Sequence, residues 1–244
     1  MKIPYHQSNR IRKNSGAGSL LRVLFVASAL ALPATAASWV GYVNVFDNAS
    51  GTKGSFIFGS GWGVSDLKTT IVTSNPGTLA GDQLILQPNF NTYADNPGDP
   101  FWRDNAGAGP GGNKWMEANV YVETNPIAET TFTLQGVVDA NDLDPAYQAQ
   151  AFIKVLDPNA GFATVLNNTI ALPADGTITV TSDLAIYQGL LLQTGFLVSG
   201  LNANPINEAA LGSVGVRLVP EPSSAGLLGI GALFAVMGRR RKGA

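Results

Sequence analysis

The chain has 244 residues, with 15 Lys and Arg against 17 Asp and Glu, one histidine and no cysteine. Without cysteine there is no disulfide or thiol chemistry, and the single histidine, His6, falls in a leader-like first stretch. The rest of the chain therefore lacks Ser-His-Asp and Cys-His nucleophilic machinery and the usual zinc, copper and haem ligands, leaving carboxylate, Tyr, Lys and Arg chemistry.

Residues 1–19 hold Lys2, Arg10, Arg12 and Lys13 and no acidic residue. The run 20–32 is apolar apart from Arg22 and Ser28, and Pro33-Ala34-Thr35-Ala36 follows. A basic region, a short apolar region and small residues at Ala34 and Ala36 predict a secretory signal peptide over 1–36, cut after Ala36 or Ala37. Its partner would be the Sec machinery, because Arg10 and Arg12 are not an adjacent twin-arginine pair. Between 37 and 219, six Lys and Arg face sixteen Asp and Glu, a net charge of −10. Such a surface disfavours nucleic acid and anionic lipid as partners.

The body, 37–218, is of a length that suits one extracellular domain. Short β-rich runs are separated by turn clusters, and no stretch keeps a helical period for three turns. Strands are expected near 39–46, 55–58, 69–73, 84–87, 115–123, 131–138, 150–156, 177–181, 190–198 and 214–219. Asp175-Gly176 has hairpin character, and 183–192 suits a helical turn or two. About ten strands without βαβ spacing predict an all-β fold, a single β-sandwich of jelly-roll type.

The longest irregular segment is 87–114, and a structureless loop of that length is functional or disordered as a rule. Phe90, Tyr93, Phe101 and Trp102 argue against disorder. Tyr93, Phe101 and Trp102 beside Arg103 and Asp104 have the composition of a glycan-binding surface, where aromatic faces stack on a sugar ring and planar polar groups take its hydroxyls. The competing reading is that these aromatics cap the core beneath the loop, and Trp62 between Gly61 and Gly63 also reads as a packed turn residue. Asp95 and Asp99 with Asn91 and Asn96, and the cluster Asp139, Asn141, Asp142 and Asp144, have oxygen ligands suited to Ca²⁺. The second cluster lacks the Gly and distal Glu of an EF-hand. No other cofactor is expected. A carboxylate-dependent polysaccharide hydrolase or lyase would need two acids about 5–10 Å apart. Glu117, Glu123 and Glu129 are the candidates, and the first two would share one strand face. The expectation is a non-catalytic protein.

Val219-Pro220-Glu221-Pro222 opens the last segment, 219–244. Fourteen uncharged residues, 225–238, follow, and then Arg239, Arg240, Arg241 and Lys242. A bilayer crossing takes about 20 apolar residues, so this is a short helix, and its basic cluster stays cytoplasmic. The prolines cannot continue a helix and hold an extended, accessible stretch. In this order the three parts resemble the PEP-CTERM sorting signal of Gram-negative bacteria. The resemblance implies recognition near Pro220-Glu221-Pro222 by an exosortase, a membrane cysteine protease-transpeptidase. It also implies transient anchoring in the inner membrane through this helix, then release or transfer to the cell surface. Organisms with such signals usually make extracellular polysaccharide.

Three stretches of the body, 86–97, 112–118 and 200–205, resemble parts of an uncharacterised secreted bacterial domain, which implies no activity. The whole reads as an exported surface or matrix protein that binds extracellular polysaccharide through the 87–115 loop. The alternative is a structural matrix protein with no ligand.

Overall fold

The computed structural model describes residues 38–74, 79–103 and 111–219. The expected signal peptide with Ala34, Ala36 and Ala37, the loop residue Asp104, and Pro220, Glu221, Pro222, the apolar run and Arg239–Lys242 lie outside the described residues.

The described chain is mostly strand: β1 (Val40–Asn48), β2 (Lys53–Trp62), β3 (Thr69–Val72), β4 (Gln83–Leu86), β5 (Gly111–Thr124), β6 (Thr131–Asn141), β7 (Gln148–Asp157), β8 (Ala163–Ala171), β9 (Gly176–Asp183), β10 (Leu191–Ala203) and β11 (Val214–Leu218). Helix is confined to single turns, including α1 (Asn91–Asp95), α2 (Glu208–Leu211) and a 3-10 turn at Ala185–Tyr187. Each of the ten expected strands is present. The eleventh, β8, was not expected. Its apolar residues do not alternate, since Val165 and Leu166 are adjacent and Asn167-Asn168 separates them from Ile170.

The strands form two antiparallel sheets. One has the order β2-β1-β5-β10-β7-β8 and the other β3-β4-β11-β6-β9. From β4 to β11 the chain folds back along itself: β4 pairs with β11, β5 with β10, β6 with β9 and β7 with β8. Both sheets feed one hydrophobic cluster. Val43, Met116, Val120, Ile153 and Phe196 come from the six-stranded sheet, and Leu84, Leu134, Ile178, Val180 and Val216 from the five-stranded one. Burying each large side chain is worth about 1.5–3 kcal/mol, and a strand's period of two sends alternate residues into this layer.

Central position explains β10, where only two of thirteen residues escape full burial. At its middle, Gly195 lies across from Tyr121 on one side and Phe152 on the other. A side chain at Gly195 would run into the Val120–Tyr121 backbone, so glycine is required there. The rings of Tyr121 and Phe152, 6.4 Å apart, sit to either side of it on the face away from the core.

Candidate functional site

The described part of the long loop is tied to the sheet by one buried side chain that sequence reasoning did not single out. Asn202, fully buried in β10, accepts the Lys114 N–H on Oδ1 at 3.0 Å. Its Nδ2 donates to Thr92 Oγ1 at 3.0 Å and to the Trp102 carbonyl at 2.9 Å. An amide has donors and acceptor in one plane, so a single Asn can tie strand, helix and loop together. Gly112 lies so close to Asn202 that a side chain at 112 would collide with it. Asn202, Thr92 and Lys114 lie in the three stretches, 200–205, 86–97 and 112–118, that are familiar from sequence. Their convergence on one hydrogen-bonded node was the signal available.

Around this node the loop is ordered by its own polar groups. Asn89 Oδ1 accepts from Thr92 N at 3.1 Å and from Thr92 Oγ1 at 2.9 Å, which starts α1. Arg103 Nε donates to the Tyr93 carbonyl at 2.6 Å, and its guanidinium lies 4.3 Å over the Tyr93 ring. Phe101 meets Trp102 edge-on at 4.8 Å, and the Lys114 ammonium sits 4.5 Å over the Phe101 ring. Tyr93, Phe101, Trp102 and Arg103 are thus gathered in one place, and all are half-buried.

Trp102 has two roles in this geometry. It packs against the core cluster, with Phe58 at 6.4 Å and Trp62 at 6.3 Å. It also lines, with Trp62, a surface groove of about 370 Å³ whose other walls are Asp66, Asn91, Thr92, Asp95 and Asn96. Asn91 and Asn96 are held by backbone carbonyls: Asn91 Nδ2 donates to Asp66 O at 3.2 Å, and Asn96 Nδ2 to Thr92 O at 2.8 Å. Two indoles beside fixed amides and carboxylates form an amphipathic trough, apolar along one wall and hydrogen-bonding along the other. Of the residues expected on this surface that the structure describes, only Trp102 lines the groove. Trp62, read from its glycine neighbours as a packed turn residue, is its second indole.

The acidic cluster expected for calcium is drawn apart by other partners. Asp139 pairs with Arg217 at 2.6 Å, and Asn141 Nδ2 donates to the Leu172 and Pro173 carbonyls at 3.3 and 3.2 Å. Asp144 Oδ1 accepts from Ala146 N at 2.9 Å, while Asp142 is exposed. Among the described residues no three acidic, His or Cys side chains come together as a metal site. Glu117 and Glu123 do share a face, the one away from the core. Six residues of strand separate them by about 20 Å, well beyond the spacing of a glycosidase pair. Glu117 is held by Lys53 at 2.6 Å and by Asn44 at 3.3 Å.

At the far end of the chain, β11 ends at Leu218, and Val219 N still donates to the Gln135 carbonyl at 3.2 Å. The folded body therefore runs directly into Pro220-Glu221-Pro222 with no spacer. Among the described residues no helix is long and apolar enough to cross a membrane. No curated protein matches the chain. Residues 218–242, which begin on the last residue of β11, match the family described as the PEP-CTERM protein-sorting motif, and the chain carries that sorting motif at its C-terminal end.

Proposed function

We propose that this is an exported, non-catalytic surface or matrix protein of a Gram-negative bacterium, whose jelly-roll body binds extracellular polysaccharide. The sorting motif at 218–242 carries the export half of this reading: it implies processing by an exosortase after transient anchoring, then delivery to the surface. The cationic, apolar and small-residue pattern of 1–36 supports entry through the Sec machinery by a cleaved signal peptide. The nested pairing of β4 with β11, β5 with β10, β6 with β9 and β7 with β8 supports the jelly roll, two Greek keys wrapped around one core.

The binding half rests on one observation: Trp62 and Trp102 share an open groove with Asp66, Asn91, Asp95 and Asn96. Indole faces suit the apolar side of a pyranose, and paired amides and carboxylates suit its hydroxyls. The test is retention of the protein on insoluble and gel-embedded polysaccharides. Trp102→Ala should weaken binding at least tenfold, a loss of about 1.4 kcal/mol. Because Trp102 also packs on the core, Asp95→Ala serves beside it: Asp95 is exposed, and its loss should weaken binding without lowering Tm. Absence of binding to every polysaccharide tried would leave the structural reading, a matrix protein without a ligand.

A further inference from the structure

The outer face of the six-stranded sheet carries a second groove, of about 530 Å³. Its lining includes Tyr42, Tyr121, Glu123, Lys154, Phe162 and Gln193. Strand register lays these out in rows. Glu123 of β5, Gln193 of β10, Lys154 of β7 and Asn167 of β8 stand side by side across four strands. The next row is the aromatic one, Tyr121 and Phe152 either side of Gly195.

Lys154 is unlike the other cations of the body. Lys53, Lys68, Lys114 and Arg217 each pair with a carboxylate, and Arg103 donates to two carbonyls. Among the described residues, Lys154 has neither an ion pair nor a hydrogen bond, only the Phe152 ring 4.9 Å beneath its ammonium. Burial pulls its pKa below the ordinary lysine value, and the charge of Glu117 opposes that shift in part. A half-buried ammonium without a counter-ion is costly to keep, and a ligand anion would relieve that cost.

Two further features point the same way. Gln193 Nε2 donates to Glu123 Oε1 at 2.9 Å, so the carboxylate is oriented while keeping acceptor capacity for hydroxyl donors. Beside it, Phe162 is a non-glycine residue at φ 62°, and the residue is 59% exposed. A bulky residue held in the left-handed region is strained, and such strain gathers at ligand-contacting positions. A free aromatic face, an unpaired cation and an oriented carboxylate, spread over two strand spacings of about 10 Å, span one to two sugar rings.

We infer that this groove binds an acidic sugar, with the sugar carboxylate on Lys154, hydroxyls on Glu123, Gln193 and Asn44, and a ring face on Phe162. This site shares no residue with the Trp62–Trp102 groove, so either can fail without the other.

The test is calorimetric titration of the full chain with oligomers of galacturonate, glucuronate and mannuronate, each against its methyl ester, which keeps the hydroxyls and loses the charge. At least one acid should bind tenfold or more tighter than its ester. Lys154→Met should abolish that preference, while Trp102→Ala should leave it intact. Equal binding of acid and ester, an unchanged preference in Lys154→Met, or no binding of any of the three acids would each overturn the proposal. The acid-against-ester comparison on the unsubstituted protein decides the matter even if Lys154→Met fails to fold.

Discussion

The Trp39 indole N–H donates to Asp82 Oδ2 at 3.0 Å, which ties the first strand of the body to the strand pair that ends it. Asp82 is almost fully buried, and its other oxygen accepts the Ser74 N–H at 3.2 Å. Its backbone carbonyl accepts the Leu218 N–H at 2.9 Å. The beginning and the end of the described chain, Trp39 and Leu218, therefore meet at a single residue.

That junction is open to test by substitution. Asp82→Ala would leave the half-buried Trp39 N–H without its acceptor, a cost of about 1–3 kcal/mol, while the exposed Ser74 N–H turns to water. For a body of this size we expect Tm to fall by roughly 2–12 °C. A thermal melt followed by circular dichroism checks this, and a shift under 2 °C would mean that the junction contributes little.

The Asn202 node makes a second prediction. Asn202→Ala strands the Lys114 N–H and removes the donors to Thr92 and Trp102, for an expected loss of about 2–4 kcal/mol. Gly112→Ala should cost a comparable amount through overpacking against the same side chain. Chemical denaturation measures both. Because both act on one contact, the double variant should cost less than the sum of the singles.

Much of this fold was legible in the sequence, for a physical reason. Strands such as β5 and β10 carry their pairing partners as runs of Val, Ala, Leu and Phe, and glycine-rich breaks separate them. The edge strand β8 was not legible, since Asn167-Asn168 breaks the alternation between Val165-Leu166 and Ile170 that would mark a strand. At the candidate site, the aromatic content of 87–114 pointed to Trp102 but not to Trp62, which sequence places 40 residues away. The partner of Asp139 was not legible either: Asp139 is 78 residues from the Arg217 that engages it, a pairing no local pattern reveals. The Lys154 groove was equally hidden, because it is made by the register of five strands.

Alkaline pH offers a third check. Burial, reinforced by Glu123 and Tyr42, pushes the Tyr121 phenol up to about 12, and burial with Asp144 pushes Tyr147 up to about 12. The ordinary value is about 10, so between pH 10 and 12 the folded chain holds protons that the unfolded chain releases, and stability falls as pH rises. Tm should be insensitive to these two groups below pH 9 and drop steadily through that window. Tyr121→Phe and Tyr147→Phe should each flatten the drop. An unchanged slope in both would contradict the assignment.

The central claim, export followed by removal of the C-terminal sorting segment, is tested most directly by the intact mass of the protein recovered from the exterior of the producing cells. The account predicts a chain that starts near Ala37 and ends between Val219 and Pro222, with or without an attached group. A mass that retains residues 225–244 would contradict it, and would make the tail an anchor rather than a processed signal.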